Sequence, residues 1–283
     1  MIAVSLLLAD ANAEEIRESR LAMGTVVGIT VRIDDGSCVE LVSCVAEAHA
    51  AIGVAFATIE RWEATLSEWR PDSDTSTLNG GGIVRFDPLA TAMLRFGGEL
   101  SHATGGAFDL MWAGGRLAET EEGWRVDGGR VGLGALLKGF LVDRAAEAVL
   151  AAGRTDFVID AAGDVYAHGS DTSGHGWSVS VRGGDGVSLA WVRLRDEALS
   201  TSGDDQQPGH IRDPRTGAAV TCSRTVTVIA PTSMVADGVA TALYAGCGTP
   251  GLAERHGAWA LRVDAEGERQ WTRGARGRFR AVR

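Results

Sequence analysis

The sequence predicts an α+β fold, in which helices pack against strands that do not form regular βαβ units. Segments with an apolar residue every three or four positions alternate with short runs rich in Val, Ile and Thr, and several of these runs are spaced as hairpins. The 283 residues can bury a substantial core, as one large domain or as two small ones. The shares of hydrophobic residues (45%) and charged residues (23%) are ordinary for a globular protein.

The order of the elements follows from apolar periodicity and from capping residues. Residues 20–33 are predicted to form a strand broken at Gly24, and residues 38–66 a long amphipathic helix. Residues 109–130 carry no clear pattern and are expected to be irregular. Further helices are predicted over residues 74–78, 88–103, 131–150 and 233–245, and further strands over residues 83–86, 156–160, 165–167, 177–182, 190–195, 225–230 and 258–263.

Charge and hydropathy restrict the partners and the location. The formal net charge is −10, whereas nucleic-acid binding requires a basic surface, so no nucleic-acid partner is expected. No apolar run approaches the roughly 20 residues of a bilayer span, so no transmembrane segment is expected. Residues 1–13 have a short apolar stretch without a preceding Lys or Arg and without a Cys for a lipid anchor, which slightly favours a cytoplasmic location. We treat residues 1–19 as an N-terminal segment and residues 20–283 as a single domain.

The rare residue types give two further expectations. The cysteines are Cys38, Cys44, Cys222 and Cys247. They lack C-x-x-C spacing, which makes a zinc site unexpected, and we interpret them as small buried hydrophobic residues without assigning a disulfide. Lys138 is the only lysine among 27 basic residues, which is consistent with a need for a compact, flexible ammonium at that position.

The stretch over residues 198–220 is the most polar part of the chain. Its prolines and glycines predict loops joined at a short His-Ile-Arg extension, rather than a helix or a central strand. His210 in this stretch offers an imidazole, a side chain that commonly serves as an acid or base in proteins, and Asp213 and Arg215 follow closely. A polar loop this long is more often functional than a plain connection; the alternative is a surface meander that caps its own backbone.

Two predicted helices add complementary chemistry. Asp237 and Thr241 are one helical turn apart, so a carboxylate and a hydroxyl offer hard oxygen ligands for Mg²⁺, with surface hydrogen bonding as the alternative. The glycine-led helix that carries Lys138 offers N–H groups and an ammonium to phosphate oxygens, although such helices are as common without any phosphate. With His210 as a base, the three features together predict phosphoryl-group chemistry on a pyrophosphate or a nucleotide.

A series of short motifs runs in one order through residues 22–245. They are Met23-Gly24-Thr25, Leu66-Ser67-Glu68-Trp69 with Ser73 and Leu78-Asn79, Gly105-Gly106-Ala107-Phe108-Asp109, Leu133-Gly134-Ala135-Leu136-Leu137-Lys138-Gly139-Phe140 with Asp143, Ala162-Gly163-Asp164, Ser200-Thr201-Ser202-Gly203-Asp204, His210-Ile211-Arg212-Asp213-Pro214-Arg215-Thr216-Gly217 and Ala236-Asp237-Gly238-Val239-Ala240-Thr241-Ala242. In content and order this series resembles the ApbE family, the FAD:protein FMN transferases.

The resemblance implies one T-fold-related domain, with helices flanking a mixed, largely antiparallel sheet and with FAD held in a cleft. It implies transfer of FMN from FAD to a threonine or serine hydroxyl of a flavin-acceptor protein, with Mg²⁺ on the diphosphate and release of AMP. By motif position it implies His210 as the general base with Asp213 beside it, and Asp237, Thr241 and the Ala135 carbonyl as metal ligands. The positions that match FAD contacts are Met23, Ser67, Ala107, Phe108, Asp109, Lys138, Thr201, Ser202 and Gly203.

The chain also departs from the family pattern. Gly132 stands where an acidic residue is usual, Asp205 where an aromatic residue is usual, and Ala162 where the turn usually has a first glycine. The short segment between Asp109 and Gly132 predicts a missing helix near the flavin end. These departures concern flavin affinity and target choice, and they leave open a non-catalytic flavin-binding protein. A second alternative uses the same metal and phosphate groups with water as the nucleophile: a Mg²⁺-dependent FAD pyrophosphatase that gives FMN and AMP.

Overall fold

The computed structural model describes residues 15–33, 40–183, 188–203, 209–248 and 251–281. The strands are β1 (Glu15–Ala22), β2 (Thr25–Arg32), β3 (Met111–Trp112), β4 (Arg116–Thr120), β5 (Gly123–Asp127), β6 (Arg130–Val131), β7 (Phe157–Ala161), β8 (Asp164–His168), β9 (Trp177–Arg182), β10 (Ser188–Leu194), β11 (Glu197–Gly203), β12 (Ser223–Ala230), β13 (Trp259–Asp264), β14 (Arg269–Trp271) and β15 (Arg280–Ala281). The helices are α1 (Leu41–Leu66), α2 (Asp74–Asn79), α3 (Pro88–Ala103), α4 (Gly134–Ala151), α5 (Ser233–Ala245) and α6 (Gly251–Arg255).

A large sheet lies at the centre of the domain. Its strand order is β1-β2-β7-β8-β11-β12-β13-β14, and every pairing in it is antiparallel. Side chains that alternate along the strands reach both faces. Ile29 and Ile159 pack with buried residues of α1 and α4, whereas Leu199 packs on the other face with Val192 of the small sheet β15-β10-β9. The predicted α+β class, with helices against a largely antiparallel sheet, is confirmed.

The first strand prediction is wrong in one respect. Residues 20–33 do not form one interrupted strand, because the chain reverses at Met23 and Gly24, whose φ angles are 55° and 70°. β1 and β2 are the two arms of a hairpin with Ala22 opposite Thr25. Two consecutive residues with positive φ form the tight turn that matches the twist of paired strands.

Helix α1 agrees with the long amphipathic helix that the sequence predicts, and residues 38 and 39 lie outside the described residues. Its mean hydropathy over an 18-residue stretch is 1.6, which is high enough, together with its length, for a membrane-spanning helix. A core helix meets the same criterion, and here Ala48, Ile52 and Ile59 are fully buried against the sheet and α4.

The short helices begin where the capping residues predict. Ser73 accepts a hydrogen bond from the backbone N–H of Ser76 at the start of α2 (3.0 Å), and Asp87 accepts one from Leu89 at the start of α3 (2.8 Å). These side chains satisfy N–H groups that have no partner within the helix.

Two segments expected to be irregular are strands. Residues 109–130 contain the hairpin β4–β5 and most of the β3–β6 pair, and the polar stretch that begins at residue 198 starts inside β11. Both prolines and two of the three glycines that predict a loop lie after β11, whereas β11 is paired on both sides, with β8 and β12. Residues 201–203, which the sequence predicts to lie in a loop, are therefore the end of a central strand.

The interpretation of the cysteines as small buried hydrophobic residues is wrong for the three that the structure describes, because Cys44, Cys222 and Cys247 are all disulfide-bonded. Cys222 and Cys247 form a disulfide that joins the start of β12 to the end of α5. Their separation of 25 residues spans both elements, so the bond ties the helix to the strand at one end of the sheet. Cys38 lies outside the described residues.

Candidate active site

One cleft collects most of the predicted site residues. Its volume is about 990 Å³, at the upper end of the usual range for ligand sites. The start of α4, the end of β11, helix α5 and two loops line it. The predicted residues on its wall are Ala107, Phe108, Asp109, Ala135, Lys138, Thr201, Ser202, Gly203, His210, Asp237 and Thr241.

Three predicted residues do not line this cleft. Met23 lies in the β1–β2 turn and packs against the apolar core. Ser67 is buried at the end of α1, where its Oγ accepts a hydrogen bond from the backbone N–H of Trp69 (3.4 Å). Asp213 forms hydrogen bonds with Arg215 within its own loop. In this structure none of the three residues lines the cleft to which the family motifs assign them.

Helix α5 carries the two side chains predicted as metal ligands. The backbone N–H of Gly139 on α4 donates to Asp237 Oδ2 (3.1 Å), and Thr241 Oγ1 lies 3.0 Å from Ser202 Oγ on β11. Burial, together with the negative charge of Asp164, raises the pKa of Asp237 well above its usual value. A carboxyl group in this environment gains more from a nearby cation than an exposed one does, because water does not screen the charge.

The donor set fits Mg²⁺. The Asp237 carboxylate, the Thr241 hydroxyl and the Ala135 carbonyl are hard oxygen donors, and all three residues line the cleft. Mg²⁺ in enzymes is usually held by one or two carboxylates together with phosphate oxygens of the substrate. The residues present could therefore hold Mg²⁺ against a bound phosphate group.

Lys138 supplies a positive charge to the same cleft. Its Nζ lies 2.6 Å from Oδ2 of Asp164, whose side chain is buried at the start of β8. Burial lowers the pKa of Lys138, but the charges of Asp164 and Asp237 outweigh it and raise this pKa above its ordinary value. The side chain is thus an ammonium under all physiological conditions.

The loop with His210 is held by its own hydrogen bonds. His210 is exposed at the cleft, and the backbone N–H of Val220 donates to the carbonyl of Ile211 (3.0 Å). Asp213 Oδ1 accepts hydrogen bonds from the backbone N–H and the Nε of Arg215, both at 2.9 Å, and this bonding lowers the pKa of Asp213. Arg215 also donates to the carbonyl of Gly105 (3.1 Å), which joins this loop to the one with Asp109.

Asp109 is less available to contact FAD than its motif position suggests, because both of its carboxylate oxygens already accept hydrogen bonds. Its Oδ2 accepts a hydrogen bond from Ser101 Oγ and its Oδ1 one from the backbone N–H of Met111, both at 2.9 Å. These bonds anchor the 105–109 loop to α3 and fix the neighbouring Phe108 in the core while one side of it lines the cleft.

Several cleft residues were not predicted. Asp164 belongs to a quoted motif, but only the structure brings it beside Lys138. Glu68, Trp69 and Trp112 also line the cleft, and the side chain of Trp69 is 84% exposed. Glu68 and Trp69 lie in the motif after α1, whereas nothing in the sequence around Trp112 points to a site.

The structure explains the glycine at position 132. A Cβ atom there would lie 2.9 Å from Trp112 Nε1 and 3.2 Å from Glu68 Oε1, so the indole and the carboxyl group occupy the space of a side chain. Burial raises the pKa of Glu68. The other noted departure, Asp205, lies outside the described residues.

Comparison with known proteins agrees with the motifs. The chain is 29% identical over 127 residues to the FAD:protein FMN transferase of Haemophilus influenzae, which is 40% of this chain and 37% of that protein. It is 27% identical over 260 residues to the FAD:protein FMN transferase of Treponema pallidum, 70% of this chain and 72% of that protein. The flavin transferase ApbE from Vibrio cholerae has the same fold, with a TM-score of 0.77 at 20% identity over 93% of this chain and 99% of that chain.

A family model also matches most of the sequence. The model of the ApbE family matches residues 23–119 and 116–254, which include the cleft residues of α4, β11 and α5. With this match over most of its length, the chain belongs to the ApbE family.

Proposed function

We propose that this protein is an FAD:protein FMN transferase, which moves FMN from FAD to a threonine or serine hydroxyl of an acceptor protein and releases AMP in the presence of Mg²⁺. One observation carries the proposal: a single cleft unites the oxygen donors of α5, the ammonium of Lys138 and the imidazole of His210. The names of two curated relatives support the same reaction.

In this proposal the diphosphate of FAD lies between α4 and α5. Lys138 on α4 would donate to phosphate oxygens, and Asp237, Thr241 and the Ala135 carbonyl would hold Mg²⁺. Bound Mg²⁺ supplies positive charge that offsets the charge of the diphosphate and allows a hydroxyl to approach phosphorus. Lys138, charged and close to Asp237, is well suited to bind a phosphate beside a metal ion.

The chemical step is a displacement at phosphorus. The acceptor hydroxyl oxygen forms a bond to the phosphorus of the FMN half, and the bond from that phosphorus to the bridging oxygen breaks. The hydroxyl proton passes to a ring nitrogen of His210, and the bridging oxygen leaves with AMP. The exposed position of His210 at the cleft supports this role, because the acceptor has to enter from solvent.

The test is incubation of the protein with FAD, Mg²⁺ and a candidate acceptor domain. We expect fluorescent flavin bound covalently to the acceptor and AMP in equal amount, measured by gel fluorescence and by chromatography. AMP that forms at the same rate without an acceptor would instead identify a pyrophosphatase. Intact FAD with every acceptor, under conditions in which FAD binds, would favour a non-catalytic flavin-binding protein.

A further inference from the structure

We propose that Asp164 is a positioning residue, which fixes the ammonium of Lys138 at the phosphate-binding wall of the cleft. The inference deepens the proposed function and rests on it, because the diphosphate of FAD is the group that Lys138 would bind. Its basis is the geometry of the pair: Lys138 Nζ lies 2.6 Å from Asp164 Oδ2.

The Asp164 carboxylate is held by the sheet. Its side chain is 2% exposed, and its second oxygen accepts a hydrogen bond from the hydroxyl of Ser200 on the neighbouring strand β11. β8 and β11 are paired at this point, with Leu199 opposite Val165. The carboxylate is therefore a fixed point, whereas the Lys138 side chain, 34% exposed, reaches from the carboxylate into the cleft.

This arrangement compensates for the flexibility of lysine. A free lysine side chain has four rotatable carbon–carbon bonds and loses about 2 kcal/mol of rotamer entropy when it is immobilised. An ammonium has three N–H donors, so the bond to Asp164 leaves two for phosphate oxygens. Because the pair is formed before ligand binds, much of the ordering cost is absent from the binding step.

Composition points the same way. All other basic residues of the chain are arginines, 26 of 27, and Lys138 alone is a lysine. The planar guanidinium of arginine is larger and favours a two-pronged contact with one carboxylate. A compact ammonium is better suited to lie between a buried carboxylate and a phosphate, which accounts for the one lysine.

The main experiment measures flavin affinity with Mg²⁺ present for Asp164→Asn, Lys138→Met and the double variant. Asn keeps an oxygen for the Ser200 hydroxyl but carries no charge. We expect each single variant to bind FAD about tenfold more weakly and riboflavin, which has no phosphate, within twofold of the original chain. The double variant should be no weaker than Lys138→Met, because both changes remove one interaction. Asp196→Asn, an exposed charge paired with His168 away from the cleft, is the matched control.

A second measurement does not depend on a bound flavin. Since Lys138 is the only lysine, an amine-acetylating reagent labels one side chain, and mass spectrometry of its peptide gives the rate. We expect slow labelling in the original chain and at least tenfold faster labelling in Asp164→Asn, while Asp196→Asn labels like the original.

The outcomes separate the two proposals. Three results would each overturn the positioning role and leave a structural ion pair. They are affinity losses that multiply in the double variant, equal affinity losses for FAD and riboflavin, and an unchanged labelling rate in Asp164→Asn. If Asp164→Asn does not fold, the labelling rate of the original chain still tests the proposal. Labelling of Lys138 as fast as that of a lysine in a free peptide would overturn it. If the binding results are as expected but no flavin reaches any acceptor, the proposed function fails and the positioning role stands.

Discussion

Two buried carboxyl groups on neighbouring helices differ in what surrounds them. Asp143 on α4 accepts hydrogen bonds from the backbone N–H groups of Ser233 (2.7 Å) and Met234 (3.0 Å) at the start of α5. Burial nevertheless raises the pKa of Asp143 to about 6, against the effect of these bonds. Asp237 lies one helical turn further along α5 and faces the cleft. Asp143 therefore anchors the helix on which Asp237 is presented.

The raised pKa of Asp143 predicts a pH-dependent stability. In the unfolded chain this carboxyl has an ordinary pKa near 3.8, so between about pH 4 and pH 6 the folded state holds the proton more tightly. Its contribution to the free energy of unfolding is greatest below pH 4 and falls by up to about 3 kcal/mol as pH rises to 6. Asp143→Asn does not titrate. Urea unfolding of both proteins from pH 4 to pH 7 checks this, and a difference that is constant with pH contradicts it.

Replacement of His210 and replacement of Asp237 should impair FMN transfer in different ways. Asp237→Ala removes the one carboxylate of the proposed metal site, so we expect no measurable FMN transfer and weaker FAD binding with Mg²⁺. His210→Ala removes only the proposed base, so transfer should slow about 10²- to 10⁴-fold with little change in FAD affinity. Transfer rates and FAD dissociation constants test both. Full transfer by either variant would show that its residue is assigned wrongly.

At the scale of elements, α4 and α5 approach closely at Gly139. A Cβ atom at this position would lie 2.4 Å from the carbonyl oxygen of Ser233 and 2.9 Å from Cβ of Asp237. The glycine thus allows its own N–H to reach the Asp237 carboxylate. The contact between the two helices and the position of the Asp237 carboxylate, which we propose as a metal ligand, depend on the same residue.

Gly139→Ala should therefore destabilise the fold. The added methyl group has to move α5 backbone, at a cost of about 1–3 kcal/mol in the free energy of unfolding. Gly53→Ala in α1 is the matched control, because nothing lies within 4 Å of the added Cβ. The free energy of unfolding of this control should rise by up to about 1 kcal/mol, because alanine is more favourable than glycine in a helix interior. Chemical denaturation compares the two, and equal effects would contradict the close approach.

The sequence predicted most helices and missed some strands for physical reasons. Caps such as Ser73 and Asp87 and the glycine after α5 are local signals, so the helices they bound were predicted within a few residues. β11 has buried residues on both faces and lacks the alternation that identifies a half-exposed strand. The β4–β5 hairpin turns at two glutamates rather than at an Asn-Gly pair.

The sequence predicted which residues form the site but not which of them contact one another. Motif resemblance supplied the residues that meet in the cleft, including Lys138 and Asp237. The pairing of Lys138 with Asp164, and the Trp112 indole over Gly132, join residues distant in sequence and need the register of the strands and helices. Periodicity and spacing contain no such information.

For the whole molecule, the fold and the proposed metal site are separable. Among the described residues, three apolar clusters form the core, and the proposed metal ligands Asp237 and Thr241 belong to none of them. Removal of Mg²⁺ by a chelator should abolish transfer, which returns when Mg²⁺ is added. The melting temperature of the flavin-free protein should change by less than a few degrees. Thermal unfolding with and without the chelator tests this, and cooperative unfolding on chelation would contradict it.

The Cys222–Cys247 disulfide bears on where the protein works. Disulfides persist in oxidising compartments and are rare in the cytosol, so this bond weighs against the cytoplasmic location that residues 1–13 slightly favour. Closing a loop of 25 residues should contribute about 3.5 kcal/mol to stability, a contribution that a chain produced in a reducing cytosol would lack. Protein from an oxidising host should resist heat better than the same chain after reduction, and equal melting temperatures would contradict this. The choice of expression compartment is then part of any assay of its activity.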